Sequence, residues 1–508
     1  MRKLFYILSI VVFTSSSCFA EGFDAIAPAN PLSPVSIPAN IVAIPVKKAV
    51  LTHNNLYNQY AIAFDRFMQS NVKSAYSDFR VLIETMDESD FGYIQLAEKM
   101  ADIGFFNLSD LAISKSDDKS LSDYIVEDMK LYYFPSKKLK KDDEIYLGEV
   151  FSNIMYNDQS KEATAELVKN ISLLENSDYA NYIASLGYLK SNDLINAENY
   201  INKAIGMNAQ NLNYKKLKAE ILSQGKKPQN ALKILDYIKS QKLYSTDFTR
   251  KVNSLEQFVL YKSKKNYSEK MYHLGYYYYY ENELAKSVRT LQNAFSTKKK
   301  LNQDVFALLS SVYFNMNDFE KAQDNAQKAL KINADNLSAL LVLGDLSYRT
   351  RDYKNALKYY KKAENNDKYS FESSVKIAQT YEQLGKSKKA FEIYERLLKI
   401  YDNCYIAYYK IALADKSKEI AYLKKAIAIN VKFKDAWIDL GRCSIEQQNF
   451  KDAKKYLTIA NYIDENDFRY YYYQGILVKR QGQDGSYYFK KSLSLNPDYE
   501  PVKKELEI

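Results

Sequence analysis

From residue 178 onward, apolar residues recur three and four apart in stretches of about a dozen, the spacing that gathers them on one face of an α-helix. Short polar turns such as KSND (190–193), NMND (315–318) and RTRD (349–352) separate the stretches. Glycine and proline are scarce, 14 and 9 residues, and five of the prolines crowd between Pro28 and Pro45. The rest of the chain lacks the punctuation of a strand-and-turn protein, so the pattern predicts helices joined by tight turns.

The helices repeat. Ala197 and Ala231 stand 34 residues apart, and Ala322, Ala356 and Ala390 follow one another at the same interval. A second small position trails by seven, at Ala204, Ala294, Ala329, Ala363, Ala426 and Ala460. Two antiparallel helices bury only one face against each other, so each pair needs a neighbour on both sides. Small residues belong where helices approach most closely, and large residues fill the space between. An all-α solenoid of stacked helix pairs is the predicted architecture.

This pattern resembles the tetratricopeptide repeat, a 34-residue unit favouring Trp, Leu, Gly, Tyr, Ala, Phe, Ala and Pro at fixed positions. The best match is KDAWIDLGRCSIEQQNFKDAKKYLTIANYIDEN, with Trp437, Leu440, Gly441, Phe450, Ala453, Leu457 and Ala460 in register and Ser444 in place of the tyrosine. In the unit beginning at 303, Leu309, Ser310, Tyr313, Phe319, Ala322 and Ala329 take those parts, while the closing proline survives only as Pro497. The resemblance implies a right-handed superhelix with close-packed positions at Ala197, Ala231, Gly275, Ala294, Ala322, Ala329, Gly344, Ala356, Ala363, Ala390, Trp437, Gly441, Ala453 and Ala460. It also implies a concave, protein-binding groove lined one, four and five residues after the small position of each first helix. In HLGYYYYYENELAKS that rule assigns Tyr276, Tyr279 and Tyr280 to the groove with Tyr272 one turn earlier, Tyr278 to the core and Tyr277 to an adjacent helix. Further groove positions are Phe314, Leu341, Tyr348, Arg349, Ile438, Arg442, Tyr472 and Lys479, with acidic Asp345, Glu372 and Glu382 between them. With 47 tyrosines in the chain, a compositional bias accounts for the run as readily as a binding patch does.

On this register units begin near 178, 212, 268, 303, 337, 371, 434 and 468, with a shortened one near 405 and weaker ones near 56, 90 and 144. Roughly a dozen units result. The organisation expected is a leader over 1–20, a proline-rich extended linker over 21–52 and degenerate helical repeats over 53–177. Repeats with an extra helix then occupy 178–267, further repeats 268–498, and a charged capping helix 499–508. Inserts at 124–143 and 246–267 break the phase and are expected to be additional helices.

The leader has the form of a secretory signal: MRK, then the apolar LFYILSIVVF, then TSSSCFA, with cleavage expected after Ala20. Export to the periplasm or the outside follows. Lipidation at Cys18 is the weaker expectation, because Ser15 stands where a lipobox has an aliphatic residue. Cys404 and Cys443, the other cysteines, make no disulfide framework and are expected to be free. The net charge of +10 is spread out, with clusters at 137–141 and 298–300. On an exported chain it reads first as an ordinary solvated surface, then as contact with anionic envelope surfaces, and not as a nucleic-acid site.

Catalysis finds no foothold. His53 and His273 are the only histidines, and neither has a second histidine nearby to make a zinc motif. QGKKP (224–228) lacks phosphate-loop spacing, and no GxGxxG or GxSxG is present. The acids of DESD (87–90) and KKDDE (140–144) read as turn residues and helix starts. No enzyme, metal or cofactor is expected. The sequence predicts a scaffold or assembly factor of a bacterial cell envelope, binding proteins or extended peptides. Two other readings stay open: an adhesion protein using its basic exterior on anionic glycans or lipid headgroups, and an accessory subunit of an envelope enzyme or secretion apparatus.

Overall fold

The computed structural model describes residues 53–85, 90–115, 132–225, 227–241, 246–296, 299–366, 371–401, 404–430, 433–464 and 466–506. The expected leader and the proline-rich linker lie outside them. Among the described residues the chain forms 27 α-helices and no strand. Helices pack in consecutive pairs, as Asp178–Lys190 does on Leu194–Met207 and Lys299–Asn315 on Phe319–Ile332, and most pairs pack on the next. The first helices of neighbouring pairs also touch, as Lys299–Asn315 does with Leu337–Arg349 and Lys434–Glu446 with Phe468–Arg480. The molecule is an all-α solenoid.

The small residues sit at the crossings. Ala197, Ala231, Ala294, Ala322, Ala329, Ala356, Ala363, Ala390, Ala453 and Ala460 are buried, as are Gly275, Gly344, Gly441 and Trp437. A methyl group added at Gly275 would come within 2.6 Å of Leu291, and one at Gly441 equally close to Leu457. In several pairs a serine takes the facing place and its hydroxyl donates across the crossing. Ser185 bonds the Ala197 carbonyl at 2.8 Å, Ser287 that of Gly275 at 2.7 Å, and Ser109 that of Ala97 at 2.8 Å. Each pair is twelve residues apart, so the same crossing recurs with the repeat.

The polar turns work in two steps. Asn192, Asn317 and Arg351 adopt left-handed backbone at φ of 62°, 60° and 62°, which reverses the chain. The next residue caps the following helix: Asp193 accepts from the Asn196 amide, Asp318 from that of Lys321, and Asp352 from that of Asn355, at 3.1, 3.2 and 3.2 Å. Gly385 and Gly482 serve as the left-handed residue in later units, with φ of 69° and 79°.

The second insert is the helix Thr246–Ser263, packed between Pro228–Ser240 and Tyr267–Tyr280. Of the first insert, residues 124–131 lie outside those described, and 133–140 form an irregular strap where a helix is expected. Pro135 lacks an amide proton, and side chains of the flanking helices satisfy the strap's backbone. Asn208 and Asn211 both donate to the Phe134 carbonyl at 3.3 Å, the Ser136 amide donates to Asp178 at 2.8 Å, and Asn107 donates to the Leu139 carbonyl at 3.1 Å. At the head of the strap Tyr132 stacks on Phe248 with ring centres 4.5 Å apart, so the two inserts meet.

Where the strap enters Lys141–Tyr156, Glu144 is fully buried. It accepts from the Asn107 amide at 2.7 Å, the Asn107 side chain at 2.8 Å and the Tyr76 hydroxyl at 3.1 Å. At the far end, Glu500–Leu506 closes the stack: Tyr499 packs on Phe468, and Glu505 pairs with Lys479 at 2.8 Å. Helix Asp90–Asp102 lies against Phe450–Ile463, so the early and late parts of the solenoid touch.

Candidate protein-interaction face

The five tyrosines end the helix Tyr267–Tyr280, whose first turn is capped by Asn266 accepting from the Glu269 amide at 3.0 Å. Successive helical residues point about 100° apart, so the run divides between faces. Tyr276 lies nearly parallel to Tyr280, at 5.0 Å and 5°. Tyr279 and Tyr272 flank it at 6.0 and 6.1 Å. Asn315, on the next first helix, donates to the Tyr279 hydroxyl at 3.1 Å. Tyr272, Tyr276 and Tyr279 rest partly on the core around Leu291 and Leu308, yet all four rings of the cluster keep an open edge. Burial pushes their phenols up, that of Tyr279 to about 12, so at neutral pH each is an uncharged donor.

The other two tyrosines face away from this cluster. Tyr277 meets Phe258 of the inserted helix at 5.5 Å. Tyr278 is half-buried rather than in the core, where the second helix of its unit sets the Lys286 ammonium 5.6 Å from the ring centre and a charged group keeps the edge wet. His273 sets Nδ1 2.9 Å from the Gln257 side-chain oxygen, and desolvation pushes it down to about 4.

The remaining assigned groove residues divide into three groups. Leu341 and Ile438 are buried, 9% and 2% exposed, and offer no surface to a partner. Each points between adjacent first helices, where the neighbouring unit covers it. Phe314 packs edge-on to Phe319, and Tyr348 to Tyr353. Arg349 lies over the Phe319 ring at 4.4 Å. Arg442, Tyr472 and Lys479 are engaged with the array itself. Arg442 pairs with Glu419, with Asp439 at 3.1 Å and with Glu446 at 2.8 Å. Tyr472 packs on Phe489 and Tyr499.

Arg442 belongs to a ladder of charges that ties one unit to the next. Lys376 bonds Asp345 at 2.6 Å, and the Tyr360 hydroxyl donates to the same carboxylate at 2.6 Å. Lys410 bonds Glu382 at 2.9 Å, the Tyr409 hydroxyl donates to Asp439 at 3.0 Å, and Arg469 pairs with Asp435 and Asp467. The signal was present in the sequence as opposite charges about one repeat apart, but many lysines satisfy that spacing and only packing selects among them. Cys404 and Cys443 are buried free thiols, pushed up to about 12 by burial. Among the described residues no group of three or more histidines, cysteines or carboxylates is placed to hold a metal ion.

Residues 308–373 and 371–404 match family models of the tetratricopeptide repeat. The chain carries tetratricopeptide repeats. It is 28% identical to the BBSome complex member BBS4 of Bos taurus over 224 residues, 42% of each chain. To the tetratricopeptide repeat protein 8 of Caenorhabditis elegans it is 22% identical over 224 residues, 41% of this chain and 44% of that one. The match thus spans less than half the length of either relative. Among solved structures, the APC/C hetero-tetramer Cut9–Hcn1 aligns over 90% of this chain and 96% of its own at 13% identity with a TM-score of 0.44. The MamA protein aligns over 34% of this chain and 97% of its own at 24% identity with a TM-score of 0.27. A tetratricopeptide scaffold implies protein partners, and proteins of this kind are in general non-catalytic.

Proposed function

We propose that this tetratricopeptide protein is an exported, non-catalytic scaffold or assembly factor of a bacterial cell envelope, binding a protein partner through the face made by its first helices. The observation that carries the reading is the tyrosine cluster of Tyr267–Tyr280. Four partly open rings are held on a rigid helix, with Tyr276 and Tyr280 stacked at 5.0 Å. Aromatic rings already fixed by packing offer contact area at little further entropic cost. Further along the solenoid the corresponding charges are consumed by the inter-unit ladder, which leaves the tyrosines as the part of the face with most to give. The relative named as a member of a complex is consistent with a role in an assembly. Export rests on the leader, MRK followed by LFYILSIVVF and TSSSCFA.

Affinity capture from envelope extract tests the reading, comparing the mature chain with the Tyr276→Ala, Tyr279→Ala, Tyr280→Ala triple variant at matched helicity and melting. A protein held by the parent and lost by the variant is the expected result. Identical capture by both would remove the tyrosines from the binding face. N-terminal sequencing of the secreted chain should begin at Glu21; a full-length product retained in the cytoplasm would end the envelope assignment.

A further inference from the structure

We propose that, when no partner is bound, the tyrosine row is covered by this chain's own proline-rich segment around PANPLSP (28–34), docked as a polyproline helix. This rests on the reading of the first-helix face as the binding surface and names what fills it. Tyr272, Tyr276 and Tyr280 follow one another along one edge of Tyr267–Tyr280, with ring centres 6.1 and 5.0 Å apart. Tyr279 widens the row, 6.0 Å from Tyr276 and 5.8 Å from Tyr280. Asn315 closes one side from the next first helix, donating to the Tyr279 hydroxyl at 3.1 Å. That hydroxyl keeps its own proton, and the exposed Asn315 amide has a second N–H to give. The row thus joins stacked ring faces to hydrogen-bond donors.

The segment has the complementary chemistry. Pro28, Pro31 and Pro34 recur every three residues, and a polyproline helix has three residues per turn. All three fall on one edge, about 9 Å apart, where their rings can lie on tyrosine faces. A helix of this kind makes no internal hydrogen bonds, so its carbonyls are left to accept from Tyr279 and Asn315. Residues 25–46 carry no charged side chain, and the tyrosine row is likewise uncharged at neutral pH. Docking therefore brings no ion out of water. The chain is also long enough to reach. His53–Met68 packs on Lys141–Tyr156, that helix on Asp178–Lys190, and Leu212–Gln224, Thr246–Ser263 and Tyr267–Tyr280 follow in turn. These five steps at helix-packing distance amount to roughly 40–50 Å. The 18 residues from Val35 to Thr52 span up to about 60 Å when extended. A tether of that length holds the segment at high local concentration beside the row, so a partner must displace it.

The test reads the anisotropy of a fluorescein-labelled peptide of residues 25–37 with two forms of the chain over 21–508. One is the parent and the other carries Pro28→Ala, Pro31→Ala and Pro34→Ala. The peptide should bind the substituted chain about tenfold tighter than the parent, whose own segment competes for the row. In the substituted chain, Tyr276→Leu should weaken the peptide about tenfold and Asn315→Ala, at an exposed site, roughly threefold. A peptide with alanine at the three proline positions should not bind. No binding to either chain, or binding indifferent to both Tyr276→Leu and Asn315→Ala, overturns the proposal. Equal binding to parent and substituted chains, lost with Tyr276→Leu, also overturns it, since the chain's own copy then leaves the row open. Sedimentation of the parent should give a monomer; a dimer dissolved by the proline substitutions would put a second copy's segment in the row and overturn docking within one chain. The reading of the face fails separately. If the peptide never binds while the tyrosine triple variant still loses the envelope partner, the face stands and only its self-occupation falls. If neither responds, the face itself is misassigned.

Discussion

At the residue scale two ionisable groups buried in opposite senses give the array a legible pH response. Glu144 is pushed up from 4.5 to about 7, first by desolvation, against the pull of its bonds from Asn107 and Tyr76. A carboxyl raised in the fold contributes stability that is complete below about 4.5 and is lost as pH climbs through about 7. His273 is pushed down from 6.5 to about 4, so its contribution is complete above 6.5 and is lost as pH falls through about 4. Glu144→Gln should therefore flatten the decline of the melting temperature between pH 4.5 and 7, and a parallel slope in both proteins would show that Glu144 ionises normally. The turns supply a backbone test. A Cβ at Gly385 meets nothing within 4 Å, so its φ of 69° isolates the cost of left-handed backbone. Gly385→Ala should lose about 1 kcal/mol in urea denaturation, and Arg351→Gly should gain roughly 0.5 kcal/mol.

At the scale of the helix pair, stability is decided at the crossings. Ala356 is fully buried, and the Tyr360 ring one turn on packs against Gly344 of the partner helix. Ala356→Leu has no space to enter and should cost about 1–3 kcal/mol through overpacking; unaltered melting would mean that the helices do not cross there. The strap of residues 133–140 is the element that periodicity could not describe. It has no helical repeat of its own, and its backbone partners, Asn208, Asn211, Asp178 and Asn107, come from three separate helix pairs. Tyr132→Ala removes the ring stacked on Phe248, and limited proteolysis of that variant should show faster cleavage between the two inserts.

At the scale of the whole molecule, the contact of Asp90–Asp102 with Phe450–Ile463 joins segments hundreds of residues apart in sequence. Lys455, on the later helix, is pushed down to about 8 by desolvation. A short amine-reactive cross-linker should connect Lys99 with Lys451, Lys454 or Lys455. If neighbouring lysines within units cross-link and this set never does, the two segments do not meet in solution.

The sequence by itself determined the unit: a 34-residue period of small residues, helices on either side, and turns ending in residues such as Asn192 and Asp193 that both reverse the chain and cap the next helix. These features are local, set by spacing along one or two helices and by the conformations each side chain allows, so they can be read in order along the chain. That a run of five tyrosines must divide between faces follows from the same local geometry, though Tyr278 is not the core residue that the repeat register assigns. The tertiary structure decided what depends on neighbours. It buried Leu341 and Ile438 between units, left Tyr278 half-covered beside Lys286, drew residues 133–140 into a strap, and chose which of many lysines completes each rung of the ladder. Small differences in how each pair rotates on the last accumulate along the solenoid, and the contacts they produce belong to no single repeat.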